Sequence, residues 1–188
     1  MIELLISVAL IIVMFVMLHG HGSKSHQRKQ MQACRENLQT LYVSLQIFAN
    51  DHEGAFPMKE GARRSGEVLE VLVPRYTSRI TPFFCPGSQD APPAEGESIA
   101  EARIGYAYFM GRKLSDGRAV LMSDEQVNDE PKEIGSQVFS GSGDGPGSNH
   151  NKYGGNFLHC DGEVESSVGG APFPIDLPAG VRLLNPGK

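Results

Sequence analysis

No feature limits this chain more than its first eighteen residues. Ile2–Leu18 reads IELLISVALIIVMFVML, seventeen residues with one charge, Glu3. As a helix it covers roughly 25 Å, slightly less than a hydrocarbon core of about 30 Å. No basic n-region or small-residue cleavage site flanks it, so it does not read as a secretory signal peptide. Apolar residues on every face argue against a surface-packed helix. The expectation is a membrane anchor.

Glu3 is the odd residue in that run. An acidic side chain costs about 2.5–3.5 kcal/mol at the bilayer centre and less near the interface. It has two readings, a headgroup-level carboxylate or one that meets a positive partner when helices bundle. His19-Gly20-His21-Gly22 follows, and two glycines weaken a helix by about 1 kcal/mol each. Lys24, Arg28 and Lys29 come next, on the side that the positive-inside rule assigns to the cytoplasm. The histidines here lack a convincing ligand set.

A helical period then appears. Met31, Cys34, Leu38, Leu41, Leu45 and Phe48 recur at three- and four-residue steps, opposite Gln30, Arg35, Glu36, Gln39 and Ser44. The pattern predicts an amphipathic helix over 25–50, ended by Asp51-His52-Glu53-Gly54 and Pro57. Joined to the anchor, it makes one long rod. Cys34 lies on the apolar stripe and reads as a small buried side chain.

The rest reads as a short helix over 65–73 and strands at 81–85, 103–110, 119–122 and 156–160. Asp161-Gly162 then separates the last of these from Glu163–Ser167, a hairpin signal with both central positions at positive φ. Segments 86–97 and 140–151 are polar loops, as 22 Gly and 12 Pro in 188 residues lead one to expect. The order of elements is α+β, a helix followed by an antiparallel sheet. Three segments result: a transmembrane helix over 1–22, an amphipathic helix over 23–56, and an antiparallel-sheet head over 57–188. A net charge of −5 offers no basis for nucleic-acid binding.

Candidate chemistry is sparse. His150, His159, Cys160 and Asp161 cluster in sequence, but strand alternation points His159 and Asp161 one way and Cys160 the other. No phosphate loop or oxyanion-hole signature accompanies them, and Cys85 lacks the second cysteine of a redox motif. No enzyme activity is expected. Asp124, Glu125, Asp129 and Glu130, with Asp144, offer carboxylates for calcium but no fixed ligand spacing, so a solvated acidic loop is the plainer reading. Three cysteines allow three single bridges, and the choice stays open.

Several segments together resemble one family. IELLISVALIIV resembles the start of type IV pilins and type II secretion pseudopilins, which carry a glutamate just inside an apolar helix. Ala33–Pro57, ACRENLQTLYVSLQIFANDHEGAFP, is similar to the Cys-x-x-Asn-Leu…Gly-x-Phe-Pro helix of pilin-like bacterial proteins. Phe84-Cys85-Pro86 matches their Cys-Pro step, and Asp124 an acidic position after a strand. His150 through Asp161-Gly162 looks like their His-(nine residues)-Asp-Gly motif, here with ten residues between. The resemblance spans Ile2 to about Val168.

The resemblance implies a pilin-like fold, a long N-terminal helix with an apolar membrane half and an amphipathic half packed on a small antiparallel sheet. It also implies an inner-membrane subunit with a periplasmic head, packing with copies of itself and related minor pilins or pseudopilins into a pilus-like or pseudopilus-like filament. In that mechanism Glu3 pairs with a neighbour's N-terminal amine. Family precursors have a basic leader and a glutamate fifth in the mature chain; here it is third, so the expectation is a family-like start upstream of Met1, the alternatives being a truncated chain or a member that is never processed. The motif residues are Cys34, Cys85, Pro86, His150, Asp161 and Gly162. The alternative is a membrane-tethered extracytoplasmic binding or accessory protein that does not polymerise.

Overall fold

In the computed structural model the described residues are 6–8, 10, 11, 14, 22–88, 90–94 and 97–187. The apolar stripe of the second segment becomes helix α1 (Gly22–Asp51), on which Cys34, Leu38, Leu41, Leu45 and Ala49 are buried. Each such leucine contributes about 1.5–3 kcal/mol by leaving water. The helix ends where Gly54 donates to the Ala49 carbonyl at 2.8 Å and takes a φ of +83°. That is the left-handed termination the sequence signals with glycine. Stacked rings of Phe48 and His52 close this end, their centroids 3.8 Å apart.

α2 (Ser65–Leu69) runs into a 3-10 turn at Glu70–Leu72 and stops before Pro74. Five strands then form one antiparallel sheet: β1 (Tyr106–Met110), β2 (Val120–Asp124), β3 (Gly155–His159), β4 (Val164–Ser167) and β5 (Arg182–Leu184), in spatial order β4-β3-β2-β1-β5. Strand alternation gives the sheet two apolar faces. Tyr106, Tyr108, Met110, Met122, Leu158 and Leu184 join Leu38, Leu41 and Leu45 in the core beneath α1. Ala107, Phe109, Val120, Phe157 and Leu183 form a second core with Val138, Phe139, Ala171 and Ile175 from the loops. An irregularity in the β2–β3 register between Val120 and Met122 lets Leu121 and Met122, though consecutive, share the helix-side core.

Three expectations are corrected. The pilin-like fold class, with a long N-terminal helix carrying an apolar membrane half, is overturned. α1 begins at Gly22, after the apolar run, and among the described residues no helix is long and apolar enough to cross a membrane. Glycines at 20 and 22 weaken the very junction at which a continuous rod has to be helical. Of the apolar run, the described Ile6, Val8, Leu10, Ile11 and Met14 are exposed. Segment 81–85 is no strand: Thr81–Phe83 is a 3-10 turn with Pro82 in its first turn, where the missing N–H costs nothing. β5 is an additional strand, paired on β1 with Tyr108 opposite Leu184.

Candidate functional site

Cys34, on the buried stripe of α1, meets Cys85 just past the 3-10 turn at Thr81–Phe83. The two are joined as a disulfide with Cα atoms 5.3 Å apart. The small buried thiol expected at Cys34 is therefore half of a bridge. Asn37, one helical turn on, donates to the Phe84 carbonyl at 3.1 Å, and Gln30 donates to that of Pro86 at 2.9 Å. The Cys-Pro step is thus strapped along one side of the helix. Just before β1, Gly105 presses so close that a Cβ there would stand 2.4 Å from the Cys85 nitrogen.

His150 completes this end. Its ring is fully buried, with Nε2 3.5 Å from Cys85 Sγ and 3.3 Å from Asp124 Oδ2. Asp124, at the end of β2, sits in a cage of donors. Asn156 donates to Oδ2 through its backbone N–H at 2.7 Å and its Nδ2 at 3.0 Å, and Asn149 donates to Oδ1 at 3.3 Å. A buried carboxylate needs such compensation. Asn156 also donates to the Met31 carbonyl of α1 at 3.0 Å and accepts from Ser166 at 2.7 Å. One side chain so links β2, β3 and β4 to the helix.

Asn149 and Asn156 were not anticipated from the sequence. The available signal is at Asn156, an asparagine opening the strand-like run Asn156–Cys160. His150 Nδ1 is buried without a hydrogen-bond partner among the described residues.

The other half of the motif lies at the far end of β3. Gly162 takes a φ of +90°, and a Cβ on it would stand 2.4 Å from the Tyr42 ring. Tyr42 in turn donates its hydroxyl to the Cys160 carbonyl at 3.0 Å. Asp161 is exposed and its carboxylate accepts from the Glu163 N–H at 3.1 Å, fixing the turn. The two-residue turn with both central positions at positive φ is corrected. Only Gly162 is left-handed, and His159 N–H bonds the Glu163 carbonyl, so Cys160–Gly162 form a three-residue loop ending on a left-handed glycine.

Strand alternation sorts the remaining candidates. Cys160 belongs to the helix-side core, and burial pushes its thiol up to about 12. A thiol held neutral at ordinary pH is a poor nucleophile. His159 faces the other core, where its ring lies 5.6 Å from Phe173 and its Nδ1 is 2.6 Å from the Arg118 carbonyl. Of the carboxylates considered for calcium, Asp124 is caged, and Glu125 grips Arg103 at 2.7 Å, opposite Asp90 at 2.6 Å. Glu3 lies outside the described residues.

A polar cleft of about 500 Å³ opens beside the disulfide, bordered by Gly87, Ser88, Arg103, Glu125 and Asn149. Beneath it the four candidate donor atoms of Cys34, Cys85, Asp124 and His150 lie within 4.8 Å of one another. The arrangement makes a covalent tie between helix and loop, with a carboxylate and an imidazole packed against it. Compared with protein-family models, curated proteins and solved structures, the chain matches none.

Proposed function

We propose that this chain is a structural subunit of a type IV pilus-like or type II secretion pseudopilus-like filament, its head held in an oxidising compartment outside the cytoplasm. One observation carries the reading. Motif residues fall on the joints between α1 and the sheet: Cys34, Cys85 and His150 at one end, and Gly162, in the turn that Asp161 fixes, at the other. A subunit that transmits load from a helix to a head needs those joints, and a disulfide persists where thiols are oxidised. In this reading the N-terminal apolar segment anchors the subunit in the inner membrane and packs against copies of itself or related minor subunits. Glu3 offsets a neighbour's amine there, because a lone buried charge is costly without its opposite.

The test is made in cells producing the protein from its own locus, by immunoelectron microscopy and fractionation of sheared filaments. The proposal expects the head epitope in the filament fraction, and its loss from that fraction in Glu3→Ala with the Cys34–Cys85 bridge intact. An epitope confined to the membrane fraction in the unaltered protein overturns it in favour of a tethered accessory protein.

A further inference from the structure

We propose that Cys34, Cys85, Asp124 and His150 form a redox-alternative metal site, a disulfide when oxidised and a four-ligand centre for a zinc-class divalent cation when reduced. The inference is independent of filament assembly. The donor atoms come from α1, the segment after the 3-10 turn, the end of β2 and the loop before β3. All four residues are buried, and their donors lie within 4.8 Å of one another. Two thiolates, an imidazole and a carboxylate are the donor set of a tetrahedral zinc site and a poor one for calcium or magnesium.

The surroundings are those a metal site requires. Metal-bound carboxylates are themselves held by hydrogen bonds. Asp124 accepts from the Asn156 N–H, Asn156 Nδ2 and Asn149 Nδ2. Gly87 N–H donates to Cys85 Sγ at 3.3 Å, a contact suited to a thiolate. His150 already directs Nε2 at both Cys85 and Asp124, so the imidazole needs no reorientation to become a ligand. Only the sulphurs must part, to roughly 3.8 Å for Zn–S bonds of about 2.3 Å. Rotation about their Cα–Cβ bonds accomplishes this with the backbone in place. The polar cleft is lined by Gly87 and Asn149, close neighbours in sequence of Cys85 and His150.

The chemistry balances with a dithiol as reductant. Thiol–disulfide exchange breaks the Cys34–Cys85 bond, closes the dithiol's own disulfide and leaves two thiols. Binding of the cation then releases two thiol protons to solvent, while His150 and Asp124 donate lone pairs. Exchange with a disulfide oxidant, itself reduced to its dithiol, re-forms the Cys34–Cys85 bond and expels the cation.

The experiment uses the full chain in detergent, reduced anaerobically with a phosphine and titrated with Co²⁺ as a spectroscopic probe. One Co²⁺ per chain is expected, with thiolate-to-cobalt charge-transfer and intense tetrahedral d–d bands that vanish on adding Zn²⁺. The bands should be absent before reduction, lost in Cys34→Ser and retained in Cys160→Ser. X-ray absorption of the zinc-loaded wild type, which needs no variant to fold, should give two sulphur and two nitrogen or oxygen neighbours. Absence of tetrahedral bands after reduction, their persistence in Cys34→Ser, or a shell without two sulphurs overturns the proposal.

Discussion

The two ends of β3 are tied to α1 by opposite chemistry. At the start of the strand the tie is polar, Asn156 to the Met31 carbonyl and to a caged carboxylate, and beside it a buried imidazole meets the disulfide that joins the helix to the Cys85 segment. At its end the tie is a shape, a left-handed glycine laid on the Tyr42 ring and one hydroxyl-to-carbonyl bond. Cys34 and Tyr42 are eight residues apart on the helix, about 12 Å at 1.5 Å per residue. The ten residues between His150 and Asp161 thus carry a loop and a strand that lies under the helix, with one anchor at each end. The spacing of the motif is the distance between two joints.

The comparison can be broken from the covalent side first. Closing a loop across a sequence separation of 51 stabilises the fold by about 4 kcal/mol in the chain-entropy model. Cys34→Ser with Cys85→Ser should lower unfolding stability in denaturant by about that much. Replacing Asp124 by Asn turns one accepting oxygen into a donor facing donors. A loss of about 2–3 kcal/mol follows, with the disulfide retained, measured the same way. At the other end, Gly162→Ala forces a Cβ into the Tyr42 ring at a positive φ and should cost about 2 kcal/mol. Tyr42→Phe removes only the bond to the Cys160 carbonyl, about 1 kcal/mol. If the glycine change cost more than the disulfide, the ranking of the two joints would be reversed.

What the sequence made legible follows from physics that acts locally. The stripe from Cys34 to Phe48 has the helical period, and α1 buries it. The Asp-Gly pair marks a hairpin, and the chain turns there, although with one left-handed residue rather than two. Long-range choices were not legible. Cysteine connectivity is not written in spacing, so the Cys34–Cys85 pairing had to come from the fold. β5 has three residues after a Pro- and Gly-rich stretch, too short to show alternation, and exists because β1 offers it an edge. The continuous apolar-to-amphipathic rod failed for a different reason. Hydropathy treats residues 2–18 and the stripe of α1 as one pattern, whereas α1 starts beyond the apolar run.

The most direct measurement is disulfide mapping of the full chain by peptide mass, combined with timed thiol alkylation near neutral pH. A peptide pair linking Cys34 to Cys85 is predicted, with Cys160 as a free thiol that alkylates only on unfolding. With its thiol pushed up to about 12 by burial, Cys160 stays protonated through neutral and mildly alkaline pH while folded. A bridge that includes Cys160, or rapid alkylation of Cys160 in the native protein, would contradict the two-jointed account of this fold.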